Sequence, residues 1–327
     1  MANLPSFFAR LFHATQPTRD LDIGQLNGLE PDDEALLWID LCDPSAQQVE
    51  LVWEQCRLPA AARRFLADGS TTPEVGQEDQ YLWVRCVVVN GRTRREAMSG
   101  TVLTCVAGPN RVLTHRRGEV PFMEELRRLG IAHTAIGGLS AESFVATLLD
   151  RQLATYFDAV SDYEDAIERL EVAILGKSAG DSLPELQRLR RWASRMRRML
   201  APHRNVFGAM SRPDFRPDEG RSADRHFVAL DTRFERAMDM VENARELVIG
   251  SFELFSNKTA LRTNHFMRVL TFVTVITGVL ATVVGAMGMN FQADLFGSGD
   301  AGFWSVVAVL VAFAAGALWA GWRRHWF

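Results

Sequence analysis

The chain has 327 residues, 47% hydrophobic and 23% charged, with a formal net charge of -4. Those averages describe an ordinary soluble protein, but they hide two C-terminal runs, residues 269–293 and 301–322, that contain no Asp, Glu, Lys, Arg or His. Each run reaches the roughly 20 apolar residues that a helix needs to cross a bilayer, whereas short buried helices usually stop near 10–14, so a purely soluble chain is excluded.

Residues 1–12 lead into acids and prolines rather than a small-residue cleavage site, so no removable signal peptide is expected. Cys42, Cys56, Cys86 and Cys105 all lie in the N-terminal part with no Cys-x-x-Cys pair. Neither structural zinc nor disulfides are implied, and buried reduced thiols are expected. Residues 35–120 read as α/β. Residues 35–41 form a strand, Asp43-Pro44-Ser45 turns into a helix through Val49, Val52 and Trp53, and residues 81–89 form a second strand ending at the hairpin signal Asn90-Gly91. Residues 101–107 and 111–114 are two more strands across Gly108-Pro109-Asn110. Nothing here forms a nucleophile–base or metal-ligand set, so no enzyme is expected.

From residue 139 the pattern is helical. Residues 139–175 lack Pro and Gly and repeat apolar residues at helical spacing, from Leu149 through Tyr156, Tyr163 and Leu170 to Ile174. This stretch is acidic, whereas the next helix, opened by Pro184, is basic, with Arg188, Arg190, Arg191, Arg195, Arg197 and Arg198. The simple expectation is an antiparallel pair whose charged faces complement each other, with no nucleic-acid role. After a Pro- and Gly-containing loop at residues 212–220, one continuous helix is expected over residues 222–285, on the order of 95 Å long. A helix of that length reads as a stalk that enters the bilayer and packs against copies of itself.

The first span carries a stripe of small and polar residues at alternating three- and four-residue steps: Asn264, Met267, Thr271, Thr274, Gly278, Ala281, Gly285 and Gly288. Such a face suits either close helix packing or a water-filled pore, and periodicity alone does not separate the two. Lys258, Arg262 and Arg268 precede this span and Arg323 and Arg324 follow the second, while the loop between carries Asp294 and Asp300. Positive residues remain inside, which puts both termini in the cytoplasm.

Just beyond the stripe stands Gly288-Met289-Asn290-Phe291. It matches the Gly-Met-Asn signature of the CorA-like divalent-cation transporters, at the outer end of the first of two C-terminal spans. Ser256-Asn257-Lys258, the run from Thr263-Asn264 to Leu270-Thr271, the N-terminal Trp38-Ile39-Asp40-Leu41 with Asp43-Pro44, and the basic tail Arg323-Arg324 also resemble that family. The resemblance spans nearly the whole chain. It implies an α+β cytoplasmic domain (residues 1–136), a helical stalk domain (137–262) and a transmembrane domain (263–327, spans about 266–289 and 302–322). It further implies a funnel-shaped homopentamer in the inner membrane. Gly288, Met289 and Asn290 would select the ion at the outer mouth, with Asn290 oxygens facing the hydrated metal, Asn264 forming an inner ring, and Leu270 and Gly278 at the constrictions.

The expected cargo is Mg²⁺, with Co²⁺ or Ni²⁺ also passing, and no covalent cofactor. Partners are other copies of the chain, divalent cations and the lipid bilayer. The chain departs from the family pattern where Thr277-Gly278-Val279 replaces a mid-helix proline, and where Gln292-Ala293-Asp294 lacks the Pro-Glu typical of magnesium members. A Zn²⁺ transporter of the ZntB-like branch is therefore the alternative, followed by a non-conducting sensor or scaffold with the same fold.

Overall fold

The computed structural model describes residues 6–90, 98–128, 136–176, 182–215, 221–289 and 299–323. The chain divides into two compact units, Met1–Leu170 with Leu183–Gly250, and Glu171–Ser182 with Ser251–Phe327.

The first unit is built on seven strands: β1 (Phe7–His13), β2 (Arg19–Asp20), β3 (Ala35–Cys42), β4 (Glu74–Glu78), β5 (Tyr81–Asn90), β6 (Ser99–Gly108) and β7 (Arg111–Arg116). Their order in the sheet is β2-β1-β3-β7-β6-β5-β4, with β3 and β7 parallel and the other pairs antiparallel. β6 turns into β7 through Pro109-Asn110, where Asn110 takes a φ of 50°, a region this residue type tolerates. β5 ends at Asn90, opposite Ser99 of β6, and residues 91–97, which follow the Asn90-Gly91 signal, lie outside the described residues.

β3 is buried on both faces because helices cover each side. Leu37, Ile39 and Leu41 face α1 (Ala46–Cys56) and α2 (Ala60–Ala67), packing with Val52, Cys56, Ala62 and Phe65. Ser45 starts α1 in a capping box, its hydroxyl accepting from the Gln48 N–H while the Gln48 side chain accepts from the Ser45 N–H. On the opposite face Trp38 meets Phe144 of α4 (Ala141–Leu175) edge-on, ring centres 5.8 Å apart. Asp40, also on that face, is fully buried. It accepts from Thr114 Oγ1 at 2.7 Å, Arg127 Nε at 2.8 Å and Arg116 Nη2 at 3.1 Å. Arg127 comes from α3 (Pro121–Arg128). A carboxylate without solvent is tolerable only with such partners.

β4 stops pairing with β5 at Arg85, and side chains from helices complete the ladder beyond it. The Val87 carbonyl accepts from Gln152 Nε2 (2.7 Å) and Tyr156 Oη (3.1 Å) of α4. The Val87 N–H donates to His203 Nε2 (2.9 Å), and the Val89 N–H to Thr155 Oγ1 (3.3 Å). Buried strand amides need such substitutes wherever a neighbouring strand ends.

α4 is joined by α5 (Leu183–Leu200), α6 (Arg204–Met210) and α7 (Arg221–Met287). α4 and α5 meet through apolar and aromatic groups: Tyr163 stacks on Trp192 at 4.3 Å and its hydroxyl donates to the Leu189 carbonyl. No ion pair between the acids of α4 and the arginines of α5 is seen among the described residues. Arg197 pairs with Glu242 of α7 and Arg188 with Glu185 of its own helix, while Arg190, Arg191, Arg195 and Arg198 are exposed with no ion pair among the described residues. Helical geometry explains it, since the apolar stripe that packs the pair turns both charged faces to solvent. α7 buries Phe227, Leu230, Phe234, Ala237, Val241, Ala244 and Val248, a strict three- and four-residue repeat, with Phe234 stacked on Phe207 of α6.

In the second unit α7 continues as a single helix to Met287, and α8 (Asp300–Arg323) follows. Both are long and apolar enough to cross a membrane.

Candidate cation pathway

All the described candidates lie on or just past the C-terminal half of α7. Asn264, Met267, Leu270, Thr271, Thr274, Gly278, Ala281 and Gly285 are helical and exposed; Gly288 and Met289 follow the helix; Asn290 lies outside the described residues. Within the span, the half-buried positions are Val269, Phe272, Ile276 and Leu280, with Met287 at its end. At 100° per residue these two sets fall on opposite sides of the helix. α8 likewise has one shielded stripe, Gly302, Val306, Leu310, Ala314, Ala317 and Gly321. The small, polar face of α7 is thus uncovered among the described residues.

Three hydroxyls along this part of the helix are already committed as donors. Thr274 Oγ1 donates to the Leu270 carbonyl at 2.8 Å, Thr277 to Val273 at 2.8 Å and Thr282 to Gly278 at 2.8 Å. Donating back into the helix satisfies each hydroxyl hydrogen where no water can, and leaves oxygen lone pairs outward. On the candidate face Thr274 therefore presents an acceptor.

At the helix end the Gly288 N–H reaches the carbonyls of Val284 (3.0 Å) and Gly285 (3.2 Å), and the Met289 N–H that of Ala286 (3.3 Å). The helix C-terminus carries partial negative charge, which favours a cation nearby. Gly288 is not in the left-handed region, and an added Cβ would meet the Val284 and Gly285 carbonyls only at ordinary distances of 3.5–3.6 Å. The turn itself therefore does not require glycine. A Cβ at Gly278 would meet nothing within 4 Å. No charged side chain falls on α7 after Arg268.

Below the span, two contacts escaped sequence reasoning. Lys258 Nζ donates to the Leu175 carbonyl at the end of α4 (3.2 Å), and Ser251 Oγ donates to Glu171 (2.7 Å). Lys258 reads as a topology charge and as part of the Ser256-Asn257-Lys258 resemblance, and its helical spacing gives no sign that it caps another helix.

The model of the family described as CorA-like Mg2+ transporter protein matches residues 33–320. The chain belongs to the CorA-like Mg²⁺ transporter family. A cobalt/magnesium transport protein CorA of Methanocaldococcus jannaschii is 23% identical over 292 residues, covering 88% of this chain and 90% of that one. The divalent cation transporter CmaX of Pseudomonas aeruginosa is 25% identical over 303 residues, covering 90% and 88%. The complete structure of the M. jannaschii CorA magnesium transporter superposes with a TM-score of 0.77 at 19% identity, covering 99% of both chains. At that identity the superposition establishes the fold alone. As a CorA-family divalent cation transporter, the chain is not an enzyme.

Proposed function

We propose that copies of this chain assemble as a homopentamer around the uncovered face of α7 and conduct hydrated Mg²⁺ across the inner membrane, with both termini in the cytoplasm. The observation that carries this reading is the placement of that face opposite the shielded stripe, continuous from Asn264 to Gly288-Met289. The face offers neutral hard acceptors, such as the Thr274 oxygen and the Asn264 side chain, and no thiol or imidazole. Mg²⁺ dehydrates reluctantly and is best held through its waters by such groups, whereas Zn²⁺ favours nitrogen and sulfur. Asn290 would complete the selective ring at the outer mouth. Glycine at 288 then serves close approach between copies.

The test is metal uptake by proteoliposomes loaded with a Mg²⁺ or a Zn²⁺ reporter, for the wild type and Asn290→Ala. Mg²⁺ uptake that vanishes in the variant, with an unchanged size-exclusion profile, is expected. Uptake at the wild-type rate would remove Asn290 from the site, and Zn²⁺ uptake without Mg²⁺ uptake would favour the zinc reading. The second reading rests on one observation, the missing Pro-Glu after Phe291.

A further inference from the structure

The arginines of α5 and the acids of α4 point to solvent from the same unit, and neither set is neutralised by the other within the chain. Arg190, Arg191, Arg195 and Arg198 recur at one- and three- to four-residue steps along the face of α5 opposite its buried stripe of Leu186, Leu189, Ala193, Met196 and Leu200. With Gln187, Ser194 and Met199 they line a shallow, open groove between side chains of this one helix. Asp158, Asp162, Asp165 and Glu168 recur in the same way along the solvent face of α4, interrupted on that side by Arg169. At about 1.5 Å per residue the arginine row is about 12 Å long and the acidic row about 15 Å, so one matches the other in length and sign.

Four guanidinium groups on two and a half turns repel one another and remain there at a cost unless an anionic surface meets them. A closed ring of identical copies needs a heterologous contact, in which one patch of each copy meets a different patch of the next. Two rows of opposite charge on one unit, without ion pairs among the described residues, meet that requirement. We propose that the α5 arginine groove of one copy receives the acidic α4 row of its neighbour, a contact between the cytosolic units separate from the α7 faces that would line the pore. This inference rests on the oligomeric reading above. Arg–carboxylate pairs at such a surface contribute mainly register and orientation between neighbours, since each exposed pair adds little free energy.

The experiment uses the full chain in detergent micelles, co-expressing one copy that carries Arg195→Cys with another that carries Asp162→Cys, differently tagged. A short bismaleimide should link the two in the mixture at least tenfold more than either variant alone. Reversing the arginines that flank the cross-linking position (Arg190→Glu with Arg191→Glu and Arg198→Glu) should abolish that link, and adding Asp158→Lys with Asp165→Lys to the other copy should restore it. Co-purification of the two copies as an oligomer without the cross-link would overturn the interface while leaving the oligomer standing. A monomeric chain would overturn both. Binding of a single-stranded oligonucleotide that is lost on arginine reversal, with no cross-link, would assign the groove to nucleic acid instead.

Discussion

Val87 donates its backbone N–H to Nε2 of His203 at 2.9 Å, while Nδ1 of the same ring faces the Leu200 carbonyl at 3.1 Å. The two contacts fix the tautomer, with the proton on Nδ1 and the lone pair on Nε2. A second proton on Nε2 would confront the Val87 N–H directly.

Burial pushes the His203 pKa down from 6.5 to about 4. A base with a lowered folded-state pKa is protonated first in the unfolded chain. Its contribution is therefore complete above about pH 6.5, is lost as the pH falls towards 4, and changes no further below that. The span corresponds to at most about 3 kcal/mol. His203→Gln keeps an acceptor for Val87 without titrating. Denaturant unfolding of the full chain, followed by tryptophan fluorescence from pH 4 to 7.5, should show the difference between wild type and variant shrinking as the medium becomes acidic. A difference independent of pH would refute this.

Asp40 supports the charge balance beneath the sheet. Asp40→Ala would leave the buried Arg116 without its fully buried carboxylate partner and deprive Arg127 of a 2.8 Å bond. The expected loss is about 3–5 kcal/mol, typical of breaking a buried pair on one side. Thermal unfolding measures it, and a loss below about 1 kcal/mol would show that the arginines find other partners.

Gly278 and Leu270 test whether the uncovered face of α7 conducts. Gly278→Ala has open space for its Cβ and should stabilise the helix by about 1 kcal/mol with uptake retained. Gly278→Met should reduce flux by narrowing a wide, wet position, and Leu270→Ala should leave the pathway leaky. Wild-type conduction in the methionine variant together with no leak in the alanine variant would make the stripe a packing face.

Charge asymmetry around the spans predicts that cysteines introduced at Ser298 and at Phe327 label from opposite faces of sealed vesicles, Ser298 from outside. Labelling of both from one side would break the two-span topology.

The long elements were legible because their patterns are long. The helix expected over residues 222–285 is α7, Arg221–Met287, and the second span expected at 302–322 is α8, Asp300–Arg323. The central strands β3, β5, β6 and β7 announced themselves as β-branched and aromatic runs. β4 reads Glu-Val-Gly-Gln-Glu, an edge strand with too little apolar pattern to register. β1 is hidden because Phe-Phe-Ala-Arg-Leu-Phe-His shows no two-residue alternation. The stripe of small and polar residues on α7 could be drawn from spacing, though not whether it packs or conducts, and the structure adds that its reverse side is shielded. His203 gave no sign, because a single imidazole after a proline says nothing of a strand amide 116 residues away. The charge complementarity expected between α4 and α5 failed for a related reason, although the two helices do pack: net charge along a helix does not say which face carries it.

The helix side chains that complete β5 have another effect. Beyond Arg85 the strand is rich in valine, and its outward amides are the kind of edge to which another polypeptide adds as an extra strand. Gln152, Thr155, Tyr156 and His203 occupy those amides, so once α4 and the α5–α6 segment have docked the edge is closed to strand addition. Before they dock it is open, and α4 and α6 follow β5 in the chain by some 50 to 120 residues. Aggregation during synthesis is therefore a hazard concentrated at Val87–Val89, and substitutions that delay helix docking should lower the yield of folded protein more than they lower its final stability.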